Sequence, residues 1–123
     1  MGPLEGLKVL DISFYAPVRW ASMYLADLGA DVTGIEMRRK DRATSFNTLD
    51  DDTNRRWLWY QRNKKSMTLN LKSPEGKQIF FRLAQTADVV LEGYGVGTAK
   101  RLGVNYDAVK KVNPEVVYCS VTG

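Results

Sequence analysis

The sequence predicts an α/β fold in which a parallel sheet is covered by helices on both faces. Three observations predict it. Short apolar, β-branched runs alternate with segments of helical period along the chain. Helix starts and stops carry matching punctuation in Pro17, Ser73-Pro74, Gly29 and Gly103. A content of 44% hydrophobic and 26% charged residues over 123 positions fits one ordinary globular domain. Strands joined through helices pair in parallel by right-handed crossovers, which gives a Rossmann-like sheet. In such sheets ligands sit at the C-terminal ends of the strands.

Each element follows from local chemistry. Residues 7–13 form an apolar run after Gly6 and read as a strand. Pro17 suits a first helical turn, and Trp20, Met23, Tyr24 and Leu28 recur at helical spacing before a glycine stop at Gly29. Residues 31–37 read as the second strand. Residues 38–56 are polar and show neither period, as a lid or a mobile loop would. A short aromatic helix is expected at 57–60 and a strand at 66–71. Ser73-Pro74-Glu75 combines a hydroxyl cap, an N1 proline and a first-turn acid, opening a helix to about Thr86 with Ile79, Phe80, Leu83 and Ala84 on its apolar face. A strand at 88–94, a helix at 98–102, an Asn105-capped helix through Val112 and a strand at 116–121 complete the order. The last strand has no covering helix after it, so the sequence reads as the N-terminal portion, residues 1–123, of a longer, truncated domain.

Composition excludes several chemistries. There is no histidine, which removes Ser-His-Asp and Cys-His catalysis from within the chain. One cysteine and no histidine make a transition-metal site unexpected. No apolar run is long enough to span a bilayer and no signal peptide is visible, so a cytoplasmic protein without membrane contact is expected. The net charge of +4 suits either a solvated basic surface or an anionic ligand.

Four features invite chemistry. Gly93, Gly95 and Gly97 make a glycine-rich turn between strand and helix, as a tight connection or a close backbone approach to a ligand. Arg62-Asn63-Lys64-Lys65-Ser66 is basic, but no stacking aromatics are interleaved with it, so nucleic acid is not expected as a partner. Asp11 and Glu36 fall in the first two strands, where strand-end and loop-capping roles outrank paired acid/base work. Cys119, alternating in the last strand, reads as a small core residue.

Taken in order, the segments resemble the family III CoA-transferases, a group that includes the α-methylacyl-CoA racemases. The matching residues are Gly2-Pro3-Leu4-Glu5-Gly6-Leu7-Lys8-Val9-Leu10-Asp11, Leu25-Ala26-Asp27-Leu28-Gly29-Ala30-Asp31-Val32, Ile35-Glu36, Asn63-Lys64-Lys65-Ser66, Leu69-Asn70-Leu71-Lys72-Ser73-Pro74-Glu75-Gly76, Ala87-Asp88-Val89-Val90-Leu91-Glu92-Gly93-Tyr94, Arg101-Leu102-Gly103, Asn113-Pro114 and Tyr118-Cys119-Ser120-Val121-Thr122-Gly123.

The resemblance implies a Rossmann-like large domain, an interlocked homodimer, and acyl-CoA and carboxylate substrates with no permanently bound cofactor. It implies a catalytic aspartate beyond Gly123, so that this chain alone has no catalytic residue and no turnover. It places CoA contacts on Ala16, Arg38, Leu69, Lys72, Gly93, Tyr94, Arg101 and Leu102. Basic residues at strand ends would neutralise the 3′-phosphate and pyrophosphate of CoA. One departure stands out: Val18 and Arg19 occupy positions where the family commonly has glycine and proline at the helix start facing the thioester. The function implied is the CoA-binding part of an acyl-CoA:carboxylate CoA-transferase, with a racemase of the same family, or a stand-alone α/β binding domain, as alternatives.

Overall fold

In the computed structural model, which describes residues 2–13, 16–36 and 58–122, the alternation read from sequence becomes one parallel sheet. Its elements are β1 (Lys8–Asp11), α1 (Ala16–Asp27), β2 (Asp31–Glu36), β3 (Lys65–Thr68), α2 (Pro74–Ala84), β4 (Val89–Glu92), α3 (Thr98–Leu102), α4 (Tyr106–Val112) and β5 (Val117–Ser120). The sheet has five strands in the order β3-β2-β1-β4-β5. Every pairing is parallel, with Val9 opposite Val32 on one side and Val89 on the other. The α/β, Rossmann-like expectation is therefore what the chain adopts. Strands are shorter than the apolar runs that announced them: 8–11 against 7–13, and 117–120 against 116–121. The residues trimmed at the ends still carry core side chains, as Ile12 and Val116 do.

Period-two alternation sorts the sheet residues onto two faces. Val9, Val32 and Leu91 meet Val18 and Ala26 of α1, together with Ala30. Leu10, Ile35 and Val90 face the other way, where Phe80 and Ala84 of α2, Ala99 of α3 and Val109 of α4 cover them. The connections explain this division. The β1–β2 step runs one way across the sheet and the β3–β4 step runs back, so right-handed crossovers place α1 and α2 on opposite faces.

One helix start and one helix stop hold as read. Ser73 is the N-cap of α2 and its hydroxyl accepts from Gly76 N–H at 3.0 Å, with Pro74 following it. Gly103 ends α3 in a left-handed conformation at φ 75°. Three expectations need correction. The conspicuous stripe on α1 faces outward: Trp20, Tyr24 and Leu28 are 43%, 56% and 46% exposed, while Val18, Arg19, Ser22, Met23 and Ala26 are buried. Ile79 of α2 is likewise exposed. Cys119 is exposed rather than part of the core. It pairs with Leu91, whose side faces α1. Helix α1 lies over β1 and β2, and no described helix covers that face of β5.

Candidate active site at the C-terminal sheet edge

Strand order reverses between β1 and β4, because the chain leaves β1 toward β2 and reaches β4 only after returning from β3. The crevice at such a switch point, beyond the carboxyl ends of the strands, is where open α/β sheets bind ligands. The residues proposed from sequence follow these strand ends. Ala16 begins α1, exposed, just after β1. Leu69 follows β3 and is buried, its N–H donating to the Glu36 carbonyl at 2.9 Å. Lys72, exposed, lies in the next turn, where its N–H donates to Asn70 Oδ1 at 3.1 Å.

Gly93 and Tyr94 follow β4 and are both buried. Tyr94 N–H donates to Glu92 Oε1 at 2.6 Å. Burial first, then the charges of Glu92 and Asp11, push the Tyr94 phenol well above its ordinary range, so it stays protonated. Arg101 and Leu102 lie on α3. Arg101 is exposed and its Nη2 donates to Thr98 Oγ1 at 2.9 Å, while Leu102 packs against the core. Arg38 and its neighbour Met37 lie outside the described residues. Ala16, Leu69, Lys72, Gly93 and Tyr94 thus follow the C-terminal ends of β1, β3 and β4, while Arg101 and Leu102 lie on α3. Lys72 and Arg101 are exposed, whereas Leu69 and Tyr94 are buried.

Behind this edge, on the α1 face, the structure holds a polar network that the sequence reading did not assemble. Asp11, at the end of β1, is fully buried. Its Oδ1 accepts from the N–H and hydroxyl of Ser13 at 2.9 and 2.5 Å, and its Oδ2 accepts from Ser22 Oγ at 2.5 Å. Lys64 Nζ stands 3.5 Å from Asp11 Oδ2 and donates to Ser22 Oγ at 2.6 Å and to the Arg19 carbonyl at 2.9 Å. Arg19 is fully buried and pairs with Glu36 at 3.3 Å. Asp11 and Glu36 are thus strand-end acids with internal counter-ions. The missed members were Arg19, Ser22, Ser13 and Lys64. A signal existed: Val18, Ser22 and Ala26 are small residues four apart, marking the face of α1 that can approach a sheet.

The basic cluster 62–66 resolves in the same way. Arg62 Nη2 and Asn63 Nδ2 donate to the Asp27 carboxylate at 2.7 and 2.6 Å, which holds that carboxyl below its ordinary range. Lys65 pairs with Asp31 at 2.8 Å. These positive groups staple the start of β3 to the end of α1 and the start of β2. Arg62 and Lys65 remain exposed within these pairs. Among the described residues, no group of three or more His, Cys, Asp or Glu side chains is placed to hold a metal ion, and no helix is long and apolar enough to cross a membrane.

The sequence profile described as CoA-transferase family III matches residues 4–123. The chain belongs to that family. It is 37% identical to succinyl-CoA:glutarate CoA-transferase of Mus musculus, covering 100% of this chain and 29% of that protein. It is 38% identical to formyl-CoA:oxalate CoA-transferase of Streptomyces coelicolor, covering 98% of this chain and 30% of that protein. A crystal structure of a CAIB/BAIF family protein from Brucella suis superposes with a TM-score of 0.79 at 32% identity, covering 99% of this chain and 34% of that one. The chain thus spans about a third of the length of these relatives.

Proposed function

We propose that this chain is the CoA-binding part of a family III acyl-CoA:carboxylate CoA-transferase, with Ala16, Arg38, Leu69, Lys72, Gly93, Tyr94, Arg101 and Leu102 meeting the cofactor-like substrate. The observation that supports this reading is that Ala16, Leu69, Lys72, Gly93 and Tyr94 follow the ends of β1, β3 and β4, with Arg101 and Leu102 on the next helix, in a member of the transferase family. Exposed Lys72 and Arg101 supply positive charge for the phosphates of CoA. The buried Gly93-Tyr94 pair follows β4, which lies beside β1.

The full reaction would exchange CoA between an acyl-CoA and a free carboxylate, using an aspartate supplied beyond residue 123. It would run in an interlocked homodimer in the cytoplasm, with no permanently bound cofactor. The glutarate and oxalate in the names of the mouse and Streptomyces relatives support small carboxylates as acceptors. Titration calorimetry of the chain with CoA tests the reading. Binding should weaken as salt rises, because exposed ion pairs are screened. Arg101→Ala should weaken binding by about 1–3 kcal/mol, the range for a hydrogen bond to a charged group left unmade. A folded chain that binds no CoA at low salt would remove the proposal.

A further inference from the structure

Lys64 carries its charge into the interior. Its side chain is 1% exposed, and its three N–H groups face three acceptors: the Arg19 carbonyl, Ser22 Oγ and Asp11 Oδ2. Desolvating an ammonium and a carboxylate together is a poor route to stability, since well-packed apolar residues of equal volume often serve as well or better. What such a pair does provide is one fixed arrangement. Here the bonds run in series. Lys64 donates to Ser22, Ser22 donates to Asp11, and Asp11 accepts from the backbone N–H and the hydroxyl of Ser13. The series starts ahead of β3, crosses α1 and ends where the chain leaves β1 beside β4.

We propose that Lys64 is a positioning residue for the pantetheine–thioester arm of bound CoA, its ammonium holding Asp11 and Ser13, at the end of β1 beside β4, through Ser22. The inference rests on the CoA reading above and assigns a role to a residue that reading leaves unused. The nucleotide end is assigned to Lys72 and Arg101, which the series does not touch. Removing the ammonium should therefore affect the arm and spare the nucleotide.

Charge supplies a second handle. The charged groups facing Lys64 are Asp11 on β1, Arg19 on α1 and Glu36 on β2. Burial, the largest influence, pushes the Lys64 ammonium below the ordinary lysine range; Asp11 and Glu36 oppose this and Arg19 adds to it. The clamp should accordingly release on the alkaline side before an exposed lysine titrates.

The experiment compares two probes on the whole chain by calorimetry. One is S-ethyl-CoA, a thioether without a titrating thiol; the other is adenosine 3′,5′-bisphosphate, the nucleotide end alone. Lys64→Met leaves Asp11 buried without its counter-ion and is expected to fold poorly. The double variant Lys64→Met/Asp11→Asn removes both charges and keeps an acceptor for Ser13. It should bind the bisphosphate as wild type does and S-ethyl-CoA about tenfold more weakly, the order of one lost charged hydrogen bond. In wild type, the preference for S-ethyl-CoA over the bisphosphate should decline as pH rises on the alkaline side, before an exposed lysine would titrate. A folded double variant with the wild-type preference would overturn the proposal, as would a preference in wild type that does not change with pH. The pH series decides the matter even where the variants fail to fold. Wild type binding neither probe would instead defeat the CoA reading itself.

Discussion

Asn113 makes three hydrogen bonds at a point where two helices end. Its Nδ2 donates to the carbonyls of Ala84 and Ala87 at 2.9 and 2.7 Å, and its Oδ1 accepts from Glu115 N–H at 3.3 Å. One side chain thereby serves carbonyls left open at the C-terminal end of α2 and closes α4. Asn113→Ala should lower stability by about 1–3 kcal/mol, since it removes a donor from two partly buried carbonyls; urea unfolding followed by circular dichroism measures this. The sequence showed Asn113-Pro114 only as a helix breaker, because its partners lie 26 and 29 residues away. Tyr118 makes a comparable long-range bond, its hydroxyl donating to the Val104 carbonyl at 2.8 Å. Burial, then the charge of Glu92, push its phenol above the ordinary tyrosine range. A phenol raised on folding contributes stability that is complete below the unfolded tyrosine range and is lost as pH climbs toward the folded value. Stability should therefore fall above about pH 10. Tyr118→Phe should flatten that alkaline limb while costing about 1 kcal/mol at neutral pH.

Helix α2 shows how an element is fixed by a single close approach. A Cβ added at Gly76 would overlap the carbonyl of Asn70, which also accepts from the Ser73 hydroxyl and N–H in the turn before the helix. Backbone on both sides leaves nothing flexible to yield, so Gly76→Ala should destabilise by about 1–3 kcal/mol, as overpacking does. Gly95→Ala is the matched control, since its Cβ would meet only Thr98 Oγ1 at 3.8 Å. A shift in melting temperature for the first and little for the second is the expected readout. The start of α2 was legible because Ser73, Pro74 and Glu75 act within one turn. The inward face of α1 was not. Large apolar side chains at Trp20, Tyr24 and Leu28 gave the stronger periodic signal, while the face that meets the sheet carries Val18, Ser22 and Ala26. Small residues let the helix sit close and leave room for Arg19 and Lys64 to turn inward. Hydropathy periodicity scores polarity and cannot weigh that fit. The same limit hid the site's interior: Asp11 and Glu36 were visible as strand-end acids, but their counter-ions come from other elements of the chain.

At the scale of the whole molecule, charge and apolar surface are distributed unevenly, and solution behaviour should follow. Asp11, Asp27, Asp31 and Glu36 all have cationic partners that tie β1, α1 and β2 together with the start of β3. The opposite edge of the sheet has no such covering. Among the described residues strand β5 pairs only with β4, and Val117 on it is 61% exposed. An edge strand with an apolar side chain and free backbone groups is a template for pairing with another chain. A second apolar area lies on the outer face of α1, where Trp20 stacks edge-on to Trp59 at 6.1 Å and to Tyr60 at 5.8 Å. The isolated chain should therefore associate as its concentration rises, despite a net charge of +4 that disfavours contact. Two single substitutions separate the sources. Val117→Lys places a charge on the β5 edge without touching the core, and Tyr24→Lys does the same on α1. Sedimentation velocity across a concentration series should show Val117→Lys as the more monomeric of the two, because an open edge offers backbone hydrogen bonds that an aromatic face lacks. A wild-type chain that sediments as a monomer throughout would show that neither surface is adhesive, and equal effects of the two substitutions would assign association to apolar area alone.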